Sequence, residues 1–324
     1  MNLRPIPYTV IGGYLGAGKT TLLNSLLRDS LGLRLAILVN DFGDINIDAD
    51  LITSHDGETM QLASGCICCS LADGFMQALA RLRDHADRID HIIVEASGVS
   101  DPVKVGQYGA ILRYELDGVI VLADAEQIRD KAANKYVGEA VIRQLRGADL
   151  LVLNKVDLVT PEELADARAW LGATAPGVRI VEATFGQVPP AVLLGELTDT
   201  RPETGPLTSD QDHHAHDHDD AGETHSDVYR TWSITNDEPI AEARLAAMLE
   251  QLPESVLRAK GFVYLADDLS RRYLVQLVGR RWSLTRQEPW GNIRPQTSLV
   301  FIGLRGEFDE ARLADDLFGR RRRA

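Results

Sequence analysis

The chain has 324 residues, a formal net charge of −14, and 44% hydrophobic and 25% charged residues, which suits about two globular domains. The acidic balance argues against a general nucleic-acid-binding protein, because affinity for phosphates comes from cationic side chains. The sequence contains no apolar run long enough to span a bilayer and no secretory signal within its first eight residues, so we expect a cytoplasmic protein without nucleic-acid or membrane partners.

The first 200 residues alternate short apolar runs with helical patterns. Each run has about five residues and is apolar on both faces, as in a parallel sheet covered by helices. The predicted strands are Tyr8–Gly12, Leu35–Asn40, His91–Glu95, Gly118–Leu122 and Leu150–Asn154. The predicted helices are Lys19–Arg28, Asp73–Ala86, Val137–Arg146 and Pro161–Leu171. We therefore expect residues 1–200 to form an α/β domain with a mostly parallel sheet.

The composition changes after residue 200. Between Pro202 and Tyr229 there are eight acidic residues, five His and no Lys or Arg, so we expect residues 201–228 to be an acidic, His-rich linker. Residues 229–312 contain closely spaced strand patterns and one helical pattern, which favours a smaller α+β domain with a mostly antiparallel sheet. Its strands are predicted at Tyr229–Ile234, Gly261–Leu265, Arg272–Val278, Trp282–Leu284 and Ser298–Leu304, and its helix at Ile240–Leu252. Residues 313–324 are predicted to be a basic tail.

Residues 13–20 fit the pattern G-x4-G-K-[ST] between a predicted strand and a predicted helix. The glycines allow successive backbone N–H groups to point at phosphate oxygens, and the following helix adds its positive end. Lys19 is expected to reach the β and γ phosphates, and Thr20 to offer its hydroxyl to Mg²⁺. The predicted nucleotide-binding residues of this loop are Gly13, Gly16, Ala17, Gly18, Lys19, Thr20 and Thr21. Lys19, Thr20 and Glu95 are the predicted catalytic residues.

Two further motifs follow predicted strands. Asn154, Lys155 and Asp157 have N-K-x-D spacing, and the Asp157 carboxylate can accept hydrogen bonds from guanine N1–H and N2–H₂, so the motif favours GTP over ATP. Asn154 is expected to contact the base edge, and the stem of Lys155 to pack over the ring. Glu95 is expected to hold Mg²⁺ beside the γ phosphate, and Gly98 to let the backbone approach it. A capping role at a nearby helix is the alternative for Glu95.

All three cysteines, Cys66, Cys68 and Cys69, fall within four residues. This odd, clustered set is not a disulfide framework, and thiolates so close can converge on one ion, most commonly Zn²⁺. Buried apolar cysteines or a redox switch are the alternatives. The cluster lies between the phosphate loop and Glu95, where GTPases carry segments that respond to the γ phosphate. We therefore expect metal binding to depend on the nucleotide.

Taken together, these motifs resemble those of the CobW-type (CobW/nitrile hydratase activator-like) P-loop GTPases. The resemblance extends to further segments, which are Asn40–Gly43 with Asp48, Asp101–Pro102, the His-rich stretch Asp212–His225, Arg258–Gly261 and Ser298–Gly303. It implies slow, metal-modulated GTP hydrolysis with GTP and Mg²⁺, and delivery of a metal to a client metalloprotein. It also implies that Cys66, Cys68 and Cys69 bind the transferred metal, most often zinc. Where the family usually has Glu, this chain has Asp41, which we include as a further metal ligand.

Other functions share parts of this pattern. The same GTPase could insert cobalt or iron, in cobalamin synthesis or nitrile hydratase activation, because three thiolates bind several of these ions. A non-catalytic zinc store and a redox-sensing GTP-binding protein are two more alternatives. The histidines of residues 212–225 predict a weak metal reservoir, with an ordinary solvated linker as the alternative.

Overall fold

The computed structural model describes residues 6–28, 33–39, 71–195 and 228–305, together with Leu313, Leu317 and Phe318. Several predicted features lie outside the described residues. They are Asp41, the three cysteines Cys66, Cys68 and Cys69, residues 201–227 of the predicted linker, and the four arginines of the tail. In the described part of the chain, no helix has the length and apolar content needed to cross a bilayer.

A six-stranded, fully parallel sheet forms the centre of the first 200 residues, with strand order β2-β3-β1-β4-β5-β6. Its strands are β1 Pro7–Gly13, β2 Leu35–Val39, β3 His91–Glu95, β4 Glu115–Asp124, β5 Leu150–Asn154 and β6 Arg179–Ala183. Two buried apolar clusters cover its two faces, as expected for strands that are apolar on both sides. The carboxyl ends of all six strands therefore meet at one edge.

Seven helices of the described residues accompany this sheet. They are α1 Lys19–Arg28, α2 Leu71–Leu82, α3 Pro102–Ile111, α4 Ile128–Ala133, α5 Gly138–Arg146, α6 Pro161–Thr174 and α7 Pro190–Leu194. Short 3₁₀ helices span Arg83–Arg88 and Val156–Leu158. The start of α3 has a clear local cause, because the Asp101 carboxylate accepts a hydrogen bond from Val103 N at 3.0 Å and Pro102 opens the helix.

Residues 228–305 form a five-stranded antiparallel sheet with strand order β10-β9-β8-β11-β7. Its elements are β7 Tyr229–Asn236, α8 Glu242–Glu250, β8 Val256–Tyr264, β9 Arg271–Val278, β10 Arg281–Pro289 and β11 Thr297–Leu304. One face packs against α8 in a third apolar cluster, where Trp232 stacks on Phe301 with ring centroids 5.1 Å apart. The predicted combination of a parallel sheet with helices and a smaller antiparallel domain is confirmed.

Several elements were not predicted from the sequence, and each has a physical reason. The edge strand β6 carries Arg179 and Glu182, so it lacks the continuous apolar run by which the other strands were predicted. The helix α3 contains two glycines and has a weakly amphipathic sequence. The strand β8 begins five residues before its predicted start, because Arg258 and Lys260 interrupt its apolar pattern.

The second sheet docks at the amino ends of the parallel strands, opposite the edge where the phosphate loop lies. Gly279, in the β9–β10 turn, approaches the backbone of Asp149 so closely that a Cβ there would lie 1.6 Å from the Asp149 oxygen. The neighbouring Arg280 donates to the carbonyl oxygens of Pro176 and Arg146, each at 3.0 Å. These contacts hold the antiparallel sheet against the amino-terminal edge of the parallel sheet.

Candidate nucleotide and metal site

The phosphate loop connects β1 to α1 and has the backbone shape that the motif requires. Gly18 has φ of +100°, and a Cβ there would lie 2.3 Å from the Asn154 amide nitrogen, so only glycine fits. Lys19 is buried and donates from Nζ to the Gly13 carbonyl oxygen at 3.0 Å. Ala17 is also buried, whereas Gly16 and Thr21 are exposed. The loop therefore presents its backbone to solvent around one buried ammonium group.

Two side-chain oxygens, one from a helix and one from a strand, meet beside this loop. The Thr20 hydroxyl, on the first turn of α1, donates to Glu95 Oε1 at 3.3 Å, and Glu95 is the last residue of β3. Hydroxyl and carboxylate oxygens are the ligands that Mg²⁺ prefers in proteins. The pair fits the ion that a nucleoside triphosphate would bring, with Thr20 and Glu95 holding it and Lys19 neutralising phosphate charge.

The segment after Glu95 packs directly on the phosphate loop. A Cβ on Gly98 would lie 2.9 Å from Leu15 N and 2.7 Å from Leu15 Cδ2, so the backbone of Gly98 touches the loop only because it has no side chain. Ala96 N continues the strand pairing by donating to Ile11 O at 2.8 Å. The structure places Gly98 against the phosphate loop, and its predicted contact with the γ phosphate stays a prediction.

At the other end of the site, Asn154 joins two loops. Its side-chain nitrogen donates to Ala17 O and its side-chain oxygen accepts from Gly186 N, both at 2.9 Å, and the residue is buried. Both atoms of this amide group thus already have backbone partners. Asn154 ties the phosphate loop to the segment after β6, and the predicted contact with the base edge stays a prediction.

Lys155 and Asp157 lie just beyond the end of β5. Lys155 has a left-handed backbone conformation, with φ of +64°, and its Nζ forms an ion pair with Asp124 Oδ2 at 2.7 Å. Asp157 lies in the following 3₁₀ turn and is exposed. Lys155 is therefore held along the edge of the sheet, and the Asp157 carboxylate is accessible as an acceptor for donors of a ligand.

Sequence reasoning missed three residues that build this site: Asp124, Gly186 and Gln144. Asp124 ends β4, beside β5, so a polar residue at a predicted strand end was a usable signal. Gly186 lies in a loop after the unpredicted strand β6. Gln144 is a buried helical glutamine that binds the carbonyl oxygens of Gly98 and Ser100, and nothing in its local sequence distinguishes it.

The predicted zinc ligands, Cys66, Cys68 and Cys69, and the further ligand Asp41 are not among the described residues. Within the described part of the chain, no group of three or more His, Cys, Asp and Glu side chains is arranged to hold a metal ion. The zinc site at these residues therefore stays a prediction.

Comparison with known proteins matches both halves of the chain. Residues 7–182 match the family described as CobW/HypB/UreG, nucleotide-binding domain, and residues 229–319 match the cobalamin synthesis protein cobW C-terminal domain. The chain is 32% identical to a zinc chaperone CobW of Sinorhizobium sp, over 96% of each chain. It is also 32% identical to the zinc-regulated GTPase metalloprotein activator 1 of Schizosaccharomyces pombe, over 58% of this chain and 48% of that protein. Among solved structures, Zn(II)-bound YjiA GTPase from E. coli is 25% identical, over 97% of this chain and 98% of that one, with a TM-score of 0.44.

A parallel sheet with a phosphate loop at its carboxyl edge, joined to an antiparallel domain, defines a P-loop nucleotide-binding protein. The chain belongs to the CobW/HypB/UreG family. It is accordingly a GTPase, and the family resemblance expected from the motifs is confirmed.

Proposed function

We propose that this chain is a GTP-hydrolysing zinc metallochaperone. In this proposal Cys66, Cys68 and Cys69 hold zinc, and the state of the bound guanine nucleotide governs its release to a client metalloprotein. The relatives named zinc chaperone and zinc-regulated GTPase metalloprotein activator support both the metal and the existence of a client. The cysteines supply soft thiolate ligands of the kind that zinc prefers.

The observation that carries this proposal is the pairing of β2 with β3. Val39, the last residue of β2, pairs with Glu95, the last residue of β3. The segment that contains all three cysteines follows Val39 in the chain, so it starts beside the carboxylate proposed to hold Mg²⁺. In this proposal that segment contacts the γ phosphate or its ion. Loss of the γ phosphate would change its contacts, and this gives a physical route from hydrolysis to metal release.

Selection of guanine is proposed to depend on Asp157. Its exposed carboxylate lies at the carboxyl end of the sheet, where ligands bind in such folds. The ion pair between Asp124 and Lys155 fixes the residue two positions before it. Adenine offers no matching pair of donors, so ATP would leave this carboxylate unsatisfied.

The proposal predicts that zinc and nucleotide affinities are coupled. Zinc affinity, measured by competition with a chromophoric chelator, should differ between the GDP complex and the complex with a non-hydrolysable GTP analogue by about 5-fold or more, the usual size of such coupling. By linkage, zinc should change the relative affinity for the two nucleotides by the same factor. Equal zinc affinities in the two complexes would remove the delivery mechanism.

Two variants separate the metal site from the GTPase site. Cys66→Ser should remove the tight zinc binding and leave GTP binding intact, whereas Lys19→Ala should abolish GTP turnover and keep zinc bound. Zinc that is retained at full affinity in Cys66→Ser would show that the cysteines are not the ligands. Turnover that survives in Lys19→Ala would show that the phosphate loop is not the catalytic site.

A further inference from the structure

A buried side chain on α5 holds the segment that follows Glu95. Gln144 is 3% exposed, and its Nε2 donates to Gly98 O at 3.1 Å and to Ser100 O at 2.7 Å. An amide nitrogen carries two hydrogens, so these two bonds use its full donor capacity. Neither acceptor belongs to α5, and both belong to the segment that touches the phosphate loop.

The segment itself forms a tight turn. Ser100 donates to the Ser97 carbonyl oxygen twice, from its backbone N at 2.9 Å and from its hydroxyl at 2.8 Å. In a planar trans peptide the C=O and N–H point in opposite directions. Fixing the oxygens of Ser97 and Gly98 therefore fixes the N–H groups of Gly98 and Val99. Gln144 thus fixes the Val99 N–H directly, and it holds Ser100, whose two bonds to Ser97 fix the Gly98 N–H.

The contact between Gln144 and Gly98 lies close to the predicted γ-phosphate site. Gly98 lies against Leu15 of the phosphate loop, three residues after the Glu95 carboxylate. A γ phosphate bound beside Lys19 and Thr20 would be the part of a nucleotide nearest this turn, and GDP lacks that group. The orientation of the Gly98 backbone should therefore change the affinity for GTP and hardly change the affinity for GDP.

We propose that Gln144 is a positioning residue for γ-phosphate recognition. It holds the 97–100 turn with its backbone donors turned to the phosphate loop, so that GTP meets a preformed contact. The inference rests on the proposed GTPase function, which it deepens by naming what distinguishes the triphosphate from the diphosphate. Without Gln144, two carbonyl groups would lose their buried partner and the turn would be free to rearrange.

The test substitutes Gln144→Met, which keeps the length and apolar stem of the side chain and removes both donors. Affinity for a non-hydrolysable GTP analogue with Mg²⁺ should fall about tenfold, as expected for the loss of one to two buried hydrogen bonds. Affinity for GDP should stay within about twofold. The value of kcat/KM should fall with the analogue affinity while kcat changes little, since bound GTP and the transition state contain the same phosphate. Equal losses for both nucleotides, or no loss for either, would overturn the proposal.

Two more variants keep the result interpretable. Glu139→Gln changes a 93% exposed side chain on the same helix and should leave both affinities unchanged. Gln144→Asn retains the amide on a shorter stem, so it can reach at most one of the carbonyl groups and should lose part of the discrimination. If Gln144→Met does not fold, the nucleotide affinities of Gln144→Asn test the proposal instead. A wild-type protein that fails to bind the GTP analogue contradicts the proposed function, whereas normal binding with unchanged Gln144 variants contradicts only this inference.

Discussion

His91 illustrates how a single residue contributes to the buried interface between the two sheets. It is fully buried, and its Nε2 lies 2.8 Å from the Thr9 hydroxyl, which donates to Asp117 Oδ2 at 3.3 Å. Because the Thr9 hydroxyl donates its single hydrogen to the bond with Asp117, it can only accept a hydrogen bond from His91. The ring proton of His91 therefore lies on Nε2. His91 Nδ1 has no hydrogen-bond partner in the described part of the protein. His91 is therefore part of a buried hydrogen-bond network with Thr9 and Asp117.

Burial lowers the pKa of His91 from 6.5 to about 4, and the charge of Arg258 adds to this effect while that of Asp117 opposes it. As pH falls, the unfolded chain binds a proton at this histidine before the folded protein does. The contribution of neutral His91 to stability is therefore fully present above pH 6.5 and is lost as the pH falls toward 4. We expect His91 to account for about 3 kcal/mol of that loss. Denaturant unfolding of His91→Gln should show a shallower dependence on pH across this window.

His85→Gln is the matched control, because it removes a partly exposed histidine outside the buried network. An unchanged pH slope in His91→Gln would mean that the unfolding equilibrium does not sense this proton.

At the scale of elements, α6 shows how local chemistry fixes a helix boundary close to the site. The Thr160 hydroxyl accepts from Glu163 N at 3.3 Å, and Glu163 Oε2 accepts in return from Thr160 N at 2.8 Å. The bond from Thr160 N, together with one that the Thr160 hydroxyl donates to the same carboxylate oxygen, lowers the pKa of Glu163. The bonds made by the two backbone N–H groups satisfy donors that a helix start leaves without partners. Helix α6 therefore begins a few residues after Asp157, and its start limits the 3₁₀ turn that contains Asp157.

Thr160→Ala should destabilise the protein by about 1 kcal/mol, because one helix donor loses its acceptor and the reciprocal bond loses its geometry. Thermal unfolding is the measurement. Thr174→Ala, at the opposite end of the same helix, removes a hydroxyl that takes no part in a cap and should change stability by less than about 0.5 kcal/mol. If both variants unfold at the wild-type temperature, the cap does not contribute to stability.

At the scale of the whole molecule, one buried arginine joins the two sheets. Arg258 of β8 forms an ion pair with Asp117 of β4 at 2.8 Å, with 4% and 2% of the two side chains exposed. It also donates to the carbonyl oxygens of Val192 and Leu193 in α7. Burial is the largest single effect and raises the pKa of Asp117, but the charge and hydrogen bond of Arg258, together with His91 and Lys260, hold it below the usual value. The same carboxylate accepts from Thr9, on the strand that leads to the phosphate loop.

Arg258→Met should cost about 3–5 kcal/mol, because it leaves Asp117 buried and charged without its partner. The double variant Arg258→Met with Asp117→Leu should recover part of this loss, since no unpaired charge remains. Chemical denaturation of the set measures the coupling. Arg294→Met is the control, because its ion pair with Asp237 is largely exposed and should contribute at most about 1 kcal/mol. A double variant no more stable than Arg258→Met would contradict the ion-pair explanation.

From the sequence alone, the class of fold and the nucleotide chemistry could be predicted, because both are encoded locally. Glycines 16 and 18 with Lys19 and Thr20 define a phosphate loop through backbone freedom over a few residues. Apolar runs of strand length define a covered parallel sheet in the same way. The family was recognisable because these motifs occur in a fixed order.

Only the tertiary structure decided which distant residues complete the site and how the two sheets meet. Lys155 pairs with Asp124, Gln144 reaches Gly98, and Arg258 reaches Asp117 over 141 residues of chain. Such pairs depend on strand order and on the docking of one sheet against another. Hydrophobic patterning in a short window reports which face of an element is buried, but it does not report which partner covers that face.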